Sequence, residues 1–196
     1  MLGAGESGCG AAILGKKKGF EVFVSDKGAI SKKSKDVLLH NNIPFEEKTH
    51  SEQQILAADL VVKSPGIPDT IPLIQAIEKN GIPIIDELEF GSRYYDKPIV
   101  AVTGSNGKTT TTLLASHVFK KAGKQVMVAG NVGESLAKQV ANEVESDLAV
   151  IEISSFQLDR IQDFRPHIAI LLNITPDHLD RYNDDFELYA ASKLRI

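Results

Sequence analysis

The stretch Ile99-Val100-Ala101-Val102-Thr103-Gly104-Ser105-Asn106-Gly107-Lys108-Thr109-Thr110 decides the fold class. Its first five residues are apolar or β-branched and read as a buried strand, its two glycines bound a turn, and residues 108–122 have helical character. A strand that turns through glycines into a helix aims backbone N–H groups outward from the helix N-terminus, and such a concavity seats phosphate. In that setting Lys108 reaches β- and γ-phosphate oxygens, the Thr109 hydroxyl suits magnesium, and Gly104, Ser105, Asn106, Gly107 and Thr110 complete an ATP-binding loop. The strict Walker spacing asks for glycine at position 102, where valine stands, so the match is to a shorter loop. Kinase, ATPase and ligase chemistry all remain open, and the bland alternative is a capped turn with a surface lysine.

Working outward, short apolar runs rich in Val and Ile alternate with longer amphipathic stretches, the pattern of a parallel sheet with crossover helices. Strands are expected over 21–25, 59–63 and 82–85, and helices over 8–18, 33–40, 71–79 and 86–95. Asp96-Lys97-Pro98 breaks the pattern, and the domain boundary is placed there. Beyond the phosphate loop, strands are expected over 125–128, 148–153 and, fully buried, 168–173, with helices over 134–144 and from about 185. The class is α/β: a Rossmann-like parallel-sheet domain over 1–95, then a P-loop-type α/β ATPase domain over 96–196. Only Met1 and Leu2 precede the first glycine cluster, where a full strand normally stands, and the last residues stop in a helix-like run without a capping glycine. The expectation is a fragment, with residues missing upstream and the second domain cut short.

Composition narrows the partners. In 196 residues with 42% hydrophobic content, a net charge of −4 and a pI near 5.7, charges are interspersed, so no basic face points to nucleic acid or to an anionic membrane. Cys9 is the single cysteine, and neither a signal peptide nor a long apolar run is present, so a soluble cytoplasmic protein is expected.

Gly3-Ala4-Gly5-Glu6-Ser7-Gly8 fits the G-x-G-x-x-G pattern, and Asp26 stands where a ribose-binding acid belongs. That cluster could hold a dinucleotide or a nucleotide sugar, or could serve only close helix packing. Ser64-Pro65-Gly66 follows an apolar strand and lies at the carboxyl edge of the sheet, though an ordinary turn has the same composition. Glu152 interrupts the apolar run Val150-Ile151-Glu152-Ile153, and a buried carboxylate there calls for a cation, unless it reaches solvent. Magnesium held by Glu152, Thr109 and phosphate is the natural candidate. Asp177, His178, Asp180 and Arg181 crowd the exit of the 168–173 strand and mark either a site or a helix cap. Lys193 has no distinguishing context beyond its helix.

With these residues assembled, the chain resembles the Mur ligases of peptidoglycan synthesis, most closely their D-glutamate-adding branch. The resemblance is carried by the first glycine cluster, Ser64-Pro65-Gly66, Thr103 to Thr110, Gly130-Asn131-Val132-Gly133, Glu152-Ile153-Ser154-Ser155-Phe156-Gln157-Leu158, Asn173 to Tyr182 and Ala191-Ser192-Lys193-Leu194-Arg195. It implies ATP-dependent amide formation between UDP-N-acetylmuramoyl-L-alanine and D-glutamate through an acyl phosphate. It assigns Glu6 and Ser7 to the diphosphate, Asp26, Lys27 and Gly66 to the uridine, and Asn131 and His178 to the muramoyl-alanine part. Two magnesium ions are implied, the first held by Thr109 and Glu152 and the second by His178 and a carbamylated Lys193. Lys108, His178 and Lys193 form the implied catalytic set, and a third domain, beyond this chain, completes the family's enzyme, so negligible turnover is expected from these residues alone.

Overall fold

The computed structural model describes residues 1–196, and its contacts divide them into two compact units. The first comprises Met1–Tyr94 together with Ser135–Asn142; the second comprises Tyr95–Glu134 and Glu143–Ile196.

The first unit alternates α1 (Glu6–Lys17), β1 (Val24–Asp26), α2 (Lys32–His40), β2 (Phe45–Glu47), α3 (Glu52–Ile55), β3 (Val61–Lys63), α4 (Pro72–Lys79), β4 (Ile84–Asp86) and α5 (Glu87–Ser92). Strand β1 pairs with β2 and β3 with β4, all parallel, and Leu2 bridges to both Ser25 and Lys63, which links the two pairs. An apolar cavity of about 500 Å³, lined by Met1, Val22, Phe23, Leu60, Val61 and Phe90 among others, flanks that single bridging residue. Local chemistry sets the helix ends. Ser31 Oγ accepts from Ser34 N–H at the start of α2, Pro72 opens α4, and Asp86 Oδ1 accepts from Leu88 N–H at 2.6 Å to open α5. Ile74 and Ile77, three apart on α4, are fully buried, as the helical period requires.

The second unit contains β5 (Ile99–Thr103), α6 (Lys108–Lys121), β6 (Val126–Gly130), β7 (Leu148–Glu152), α8 (Ser155–Leu158), β8 (Ile168–Leu171), a 3₁₀ turn (Leu179–Tyr182) and α9 (Phe186–Lys193), once α7 (Leu136–Ala141) is set aside. Its sheet is wholly parallel in the order β6-β7-β5-β8. Val100, Leu148 and Val150 form one core cluster on it, covered by Ala115 and Phe119 of α6.

Three findings differ from the sequence expectations. The helix expected over 134–144 is shorter, and it joins the first unit: Ala137 and Ala141 are part of that unit's core, with Ala11, Ala12 and Phe90. Gly10 of α1 and Gly91 of α5 make room for it, since a Cβ on either would lie 2.9 Å from atoms of Lys138 or Ala137. Its N-terminus is held by Glu87, whose buried carboxylate accepts from Ser135 Oγ at 2.7 Å and Ala137 N–H at 2.6 Å. Second, β8 is not buried: Ile168 is 51% exposed and Leu171 38%, because β8 is an edge strand paired only with β5. An apolar run fixes strand character without fixing which faces are covered. Third, β2, α3 and α8, each three or four residues long, were not anticipated. No helix is long and apolar enough to cross a membrane.

Candidate nucleotide sites in the two units

In the second unit, β5 runs into the turn Gly104–Gly107 and then α6. Gly107, the residue preceding the helix, has φ 85°, a left-handed conformation that glycine adopts without strain. Asn173, just beyond β8, clamps the turn: its main-chain O accepts from Ser105 N–H at 3.0 Å, its Oδ1 from Asn106 N–H at 2.9 Å, and its Nδ2 donates to Asn106 O at 3.0 Å. Two loop amides are therefore committed to shaping the turn. The amides available to an anion are those of the first turn of α6, which lack partners within the helix. The buried Ser105 hydroxyl is likewise internal, bonded to Thr175 and, at 2.8 Å, to Tyr189 Oη.

Two lysines converge on one carbonyl. Lys108 Nζ donates to Gly104 O and Ser105 O, each at 2.9 Å, and Lys193 Nζ donates to the same Gly104 O at 2.9 Å. Lys193 is 2% exposed and lies 4.8 Å over the Tyr189 ring. Burial, reinforced by the charge of Lys108 and opposed by Asp177, lowers its pKa to about 8. Helix α9 is fastened so that Lys193 stays in place: Ser192 Oγ donates to Ser155 O at 2.7 Å, and Arg195 donates to Leu158 O and Ile161 O. The Ser154 to Leu158 segment owes part of its composition to α8 itself, where Gln157 Oε1 accepts from Ser154 N–H and Oγ in a capping box.

Glu152 ends β7 beside Val102, its register partner on β5, and is 1% exposed. Its Oε1 accepts from Asn131 Nδ2 at 2.8 Å, while Oε2 is buried with no hydrogen-bond partner. An orphaned carboxylate oxygen beside a phosphate loop fits a cation, so the residues present suit magnesium. No group of three His, Cys, Asp or Glu side chains assembles around Glu152, and Thr109 is exposed on the first turn of α6. Thr110 is also exposed on that first helical turn. His178 stands apart from Glu152 in its contacts: its ring is 3.7 Å from Asp177 Oδ2 and packs edge-on to Phe156, and its φ of 49° is left-handed.

In the first unit, Asp26 Oδ2 accepts from Ala4 N–H of the glycine loop at 2.7 Å, and its Oδ1 accepts from Gly28 N–H, just after β1, at 2.8 Å. Gly5 faces open space at the start of α1, where an anion can approach the backbone. Glu6 is exposed and accepts from Ser135 N–H at 3.3 Å, so its usable donor toward phosphate is its amide rather than its like-charged carboxylate. Ser7 follows on α1, Lys27 is exposed beside Asp26, and Gly66 lies exposed in a turn closed by Ile67 N–H on Ser64 O. The sequence reading missed Lys63, 5% exposed, which braces that turn through Ile67 O at 2.5 Å and Asp69 at 3.1 Å. Its signal was available: a charged residue in the apolar strand Val61-Val62-Lys63, as with Glu152.

Residues 102–196 match the model of the Mur ligase middle domain, and residues 1–71 that of the MurD N-terminal domain. The chain is 57% identical over its whole length to a UDP-N-acetylmuramoylalanine–D-glutamate ligase of Bacteroides fragilis and 54% identical to one of Christiangramia forsetii, spanning 44% of the length of each. Among solved structures, a UDP-N-acetylmuramate:L-alanyl-gamma-D-glutamyl-meso-diaminopimelate ligase of Neisseria meningitides shares the fold, with a TM-score of 0.63 at 24% identity over 99% of this chain and 66% of its own.

Proposed function

The chain belongs to the Mur ligase family, and on that premise we propose that it supplies the UDP-substrate and ATP sites of a ligase that adds D-glutamate to UDP-N-acetylmuramoyl-L-alanine in the cytoplasm. The observation that carries the reading is the second unit's pairing of a phosphate loop with an orphaned buried Glu152 oxygen and two convergent lysines.

A carboxylate is a poor acyl donor because oxide would have to leave, so the muramoyl-alanine carboxylate first attacks the γ-phosphorus of ATP. The bond to the ADP oxygen breaks and an acyl phosphate forms. Lys108, released from Gly104 O and Ser105 O, binds the β- and γ-oxygens, and the first amides of α6 hold the phosphates. Magnesium, held by Glu152 and Thr109, supplies charge neutralisation on the phosphoryl oxygens. The D-glutamate amine then attacks the acyl carbon, phosphate leaves, and the nitrogen sheds its proton. Asn131, fixed on Glu152, and His178 face the acyl part in this reading, with Asp26, Lys27, Gly66 and the amides of Glu6 and Ser7 around the UDP.

Titrating the chain separately with UDP-N-acetylmuramoyl-L-alanine, ATP with magnesium, and NAD in a calorimeter tests the assignment. The first two are expected to saturate and the third to give no heat; saturable NAD binding without UDP-ligand binding overturns it.

Lys193 enters as a carbamate in the same reading, binding a second magnesium. A neutral amine adds to carbon dioxide, forming the N–C bond and releasing one proton, and burial beside Lys108 favours the neutral amine. In ¹³C-bicarbonate the chain is expected to show a carbamate carbonyl resonance that Lys193→Arg lacks. An unchanged spectrum in the variant counts against the modification.

A further inference from the structure

We propose that His50 is a specificity-determining residue of the first unit, its Nε2 accepting a hydrogen bond from a hydroxyl or imide N–H of the bound nucleoside; the inference rests on the nucleotide-binding reading of that unit. The argument begins at Ser25, fully buried, whose Oγ lies 2.6 Å from both Glu46 Oε1 and His50 Nδ1. Glu46 also accepts from Ser51, from its N–H at 2.7 Å and its Oγ at 2.5 Å. Burial works against the Glu46 anion, but the hydrogen bonds from Ser25 and Ser51 outweigh it and hold its carboxyl below the ordinary range. An ionised carboxylate only accepts, so the single Ser25 proton goes to Glu46. His50 Nδ1 must then be the donor to Ser25 Oγ.

Burial, with Lys27, lowers the imidazole pKa, while Glu46 and Asp26 oppose the shift. The ring is therefore neutral at pH 7, with its proton on Nδ1 and a lone pair on Nε2. Serine and glutamate fix the tautomer, and a half-buried ring presents a hydrogen-bond acceptor.

Its position fits a ligand. Register pairs Ser25 with Glu46 and Asp26 with Glu47, so this relay sits at the carboxyl ends of β1 and β2. Gly3 N–H donates to Ser25 O and Ala4 N–H to Asp26, so the glycine cluster begins at the same edge, where open parallel sheets bind ligands. Asp26 and Lys27, placed near the uridine in the proposed function, are the residues whose charges act on the His50 ring beside that of Glu46. Uridine offers an imide N–H and ribose hydroxyls as donors, and a site that accepts from one of them rejects analogues lacking it.

UDP binding to the chain provides the test. His50→Asn keeps an amide within reach of Ser25 but has no atom at the Nε2 position, whereas His50→Gln carries an acceptor oxygen outward. His50→Asn is expected to weaken UDP binding about tenfold, the worth of one hydrogen bond, and His50→Gln to stay within about threefold. On acidification, wild type is expected to lose affinity more steeply than His50→Gln, because both share the titration of the phosphate and only wild type protonates its acceptor. Comparing 3-methyl-UDP with 2′-deoxy-UDP and 3′-deoxy-UDP identifies the donor, as the analogue lacking it is bound equally by wild type and His50→Asn. Nitrogen-15 shifts of the unliganded wild type are expected to show the Nδ1–H tautomer. Wild-type UDP affinity in His50→Asn, superimposable pH profiles, or an Nε2–H ring each overturn the proposal while the nucleotide site stands. Wild type that binds no UDP removes both.

Discussion

Replacing Lys108 by methionine is expected to weaken ATP binding to the chain by about a hundredfold, with UDP-ligand binding unchanged. Lys108 Nζ holds two carbonyl oxygens, Gly104 O and Ser105 O, at 2.9 Å, and in the proposed nucleotide complex it would exchange these for phosphate oxygens of higher charge. Hydrogen bonds to charged groups are worth about 1.5–3 kcal/mol each, and loss of two such bonds, partly compensated by water, leaves a deficit of about 3 kcal/mol. That is about two decades of affinity. Methionine preserves the length and apolar stem, which isolates the ammonium. Calorimetry with ATP and magnesium checks the magnitude, and near-wild-type affinity would sink the phosphate-loop reading. A second effect runs through Lys193: removing Lys108 removes the cationic neighbour that helps lower its pKa, which is expected to rise from about 8.

Gly130→Val is expected to lower the Tm of the second unit by more than about 10 °C and to disturb Asn131. Gly130 closes β6 with φ 97°, opposite Glu152 in the register, and a Cβ there would overlap Glu152 O and lie 3.0 Å from Ile151 Cγ2. Strain in the left-handed region costs about 1–3 kcal/mol for a β-branched residue, and overpacking against a fixed carbonyl adds a similar amount. At about 4–8 °C per kcal/mol for a unit of this size, the shift follows. Asn131 N–H and Nδ2 both bond Glu152, so displaced backbone here also releases the carboxylate. Thermal unfolding monitored by circular dichroism measures the first effect. Retention of the wild-type midpoint would show that the strand end yields at little cost.

Sequence alone disclosed the strand-turn-helix around Gly107 because glycine, lysine and threonine spacing is a local property. It disclosed Glu152 for a related reason, a charge set in an apolar run. It did not disclose that Asn173 spends two loop amides, or that Lys108 and Lys193 share one carbonyl, since those pairings join residues 67 to 89 positions apart. The Ser25–Glu46–His50 relay was invisible too. Each of its members is unremarkable in its own segment, and only the β1–β2 register brings them together. Helix α7 was recognised as a helix, but its address was set by the small residues Gly10 and Gly91 and by Glu87, all remote in the chain.

Because residues 135–142 belong to the first unit and both flanks belong to the second, the polypeptide passes between units three times. A single cut between Tyr94 and Tyr95 therefore divides the first unit from part of itself: the upstream piece has a core lacking Ala137 and Ala141, and the downstream piece carries α7 without the residues it packs on. Recombination that exchanged one unit at that boundary would transmit one parent's eight-residue insert, residues 135–142, into the other parent's fold. The two modules are thus bound to a common inheritance, and Glu87 and the Ser135 segment can change only in step.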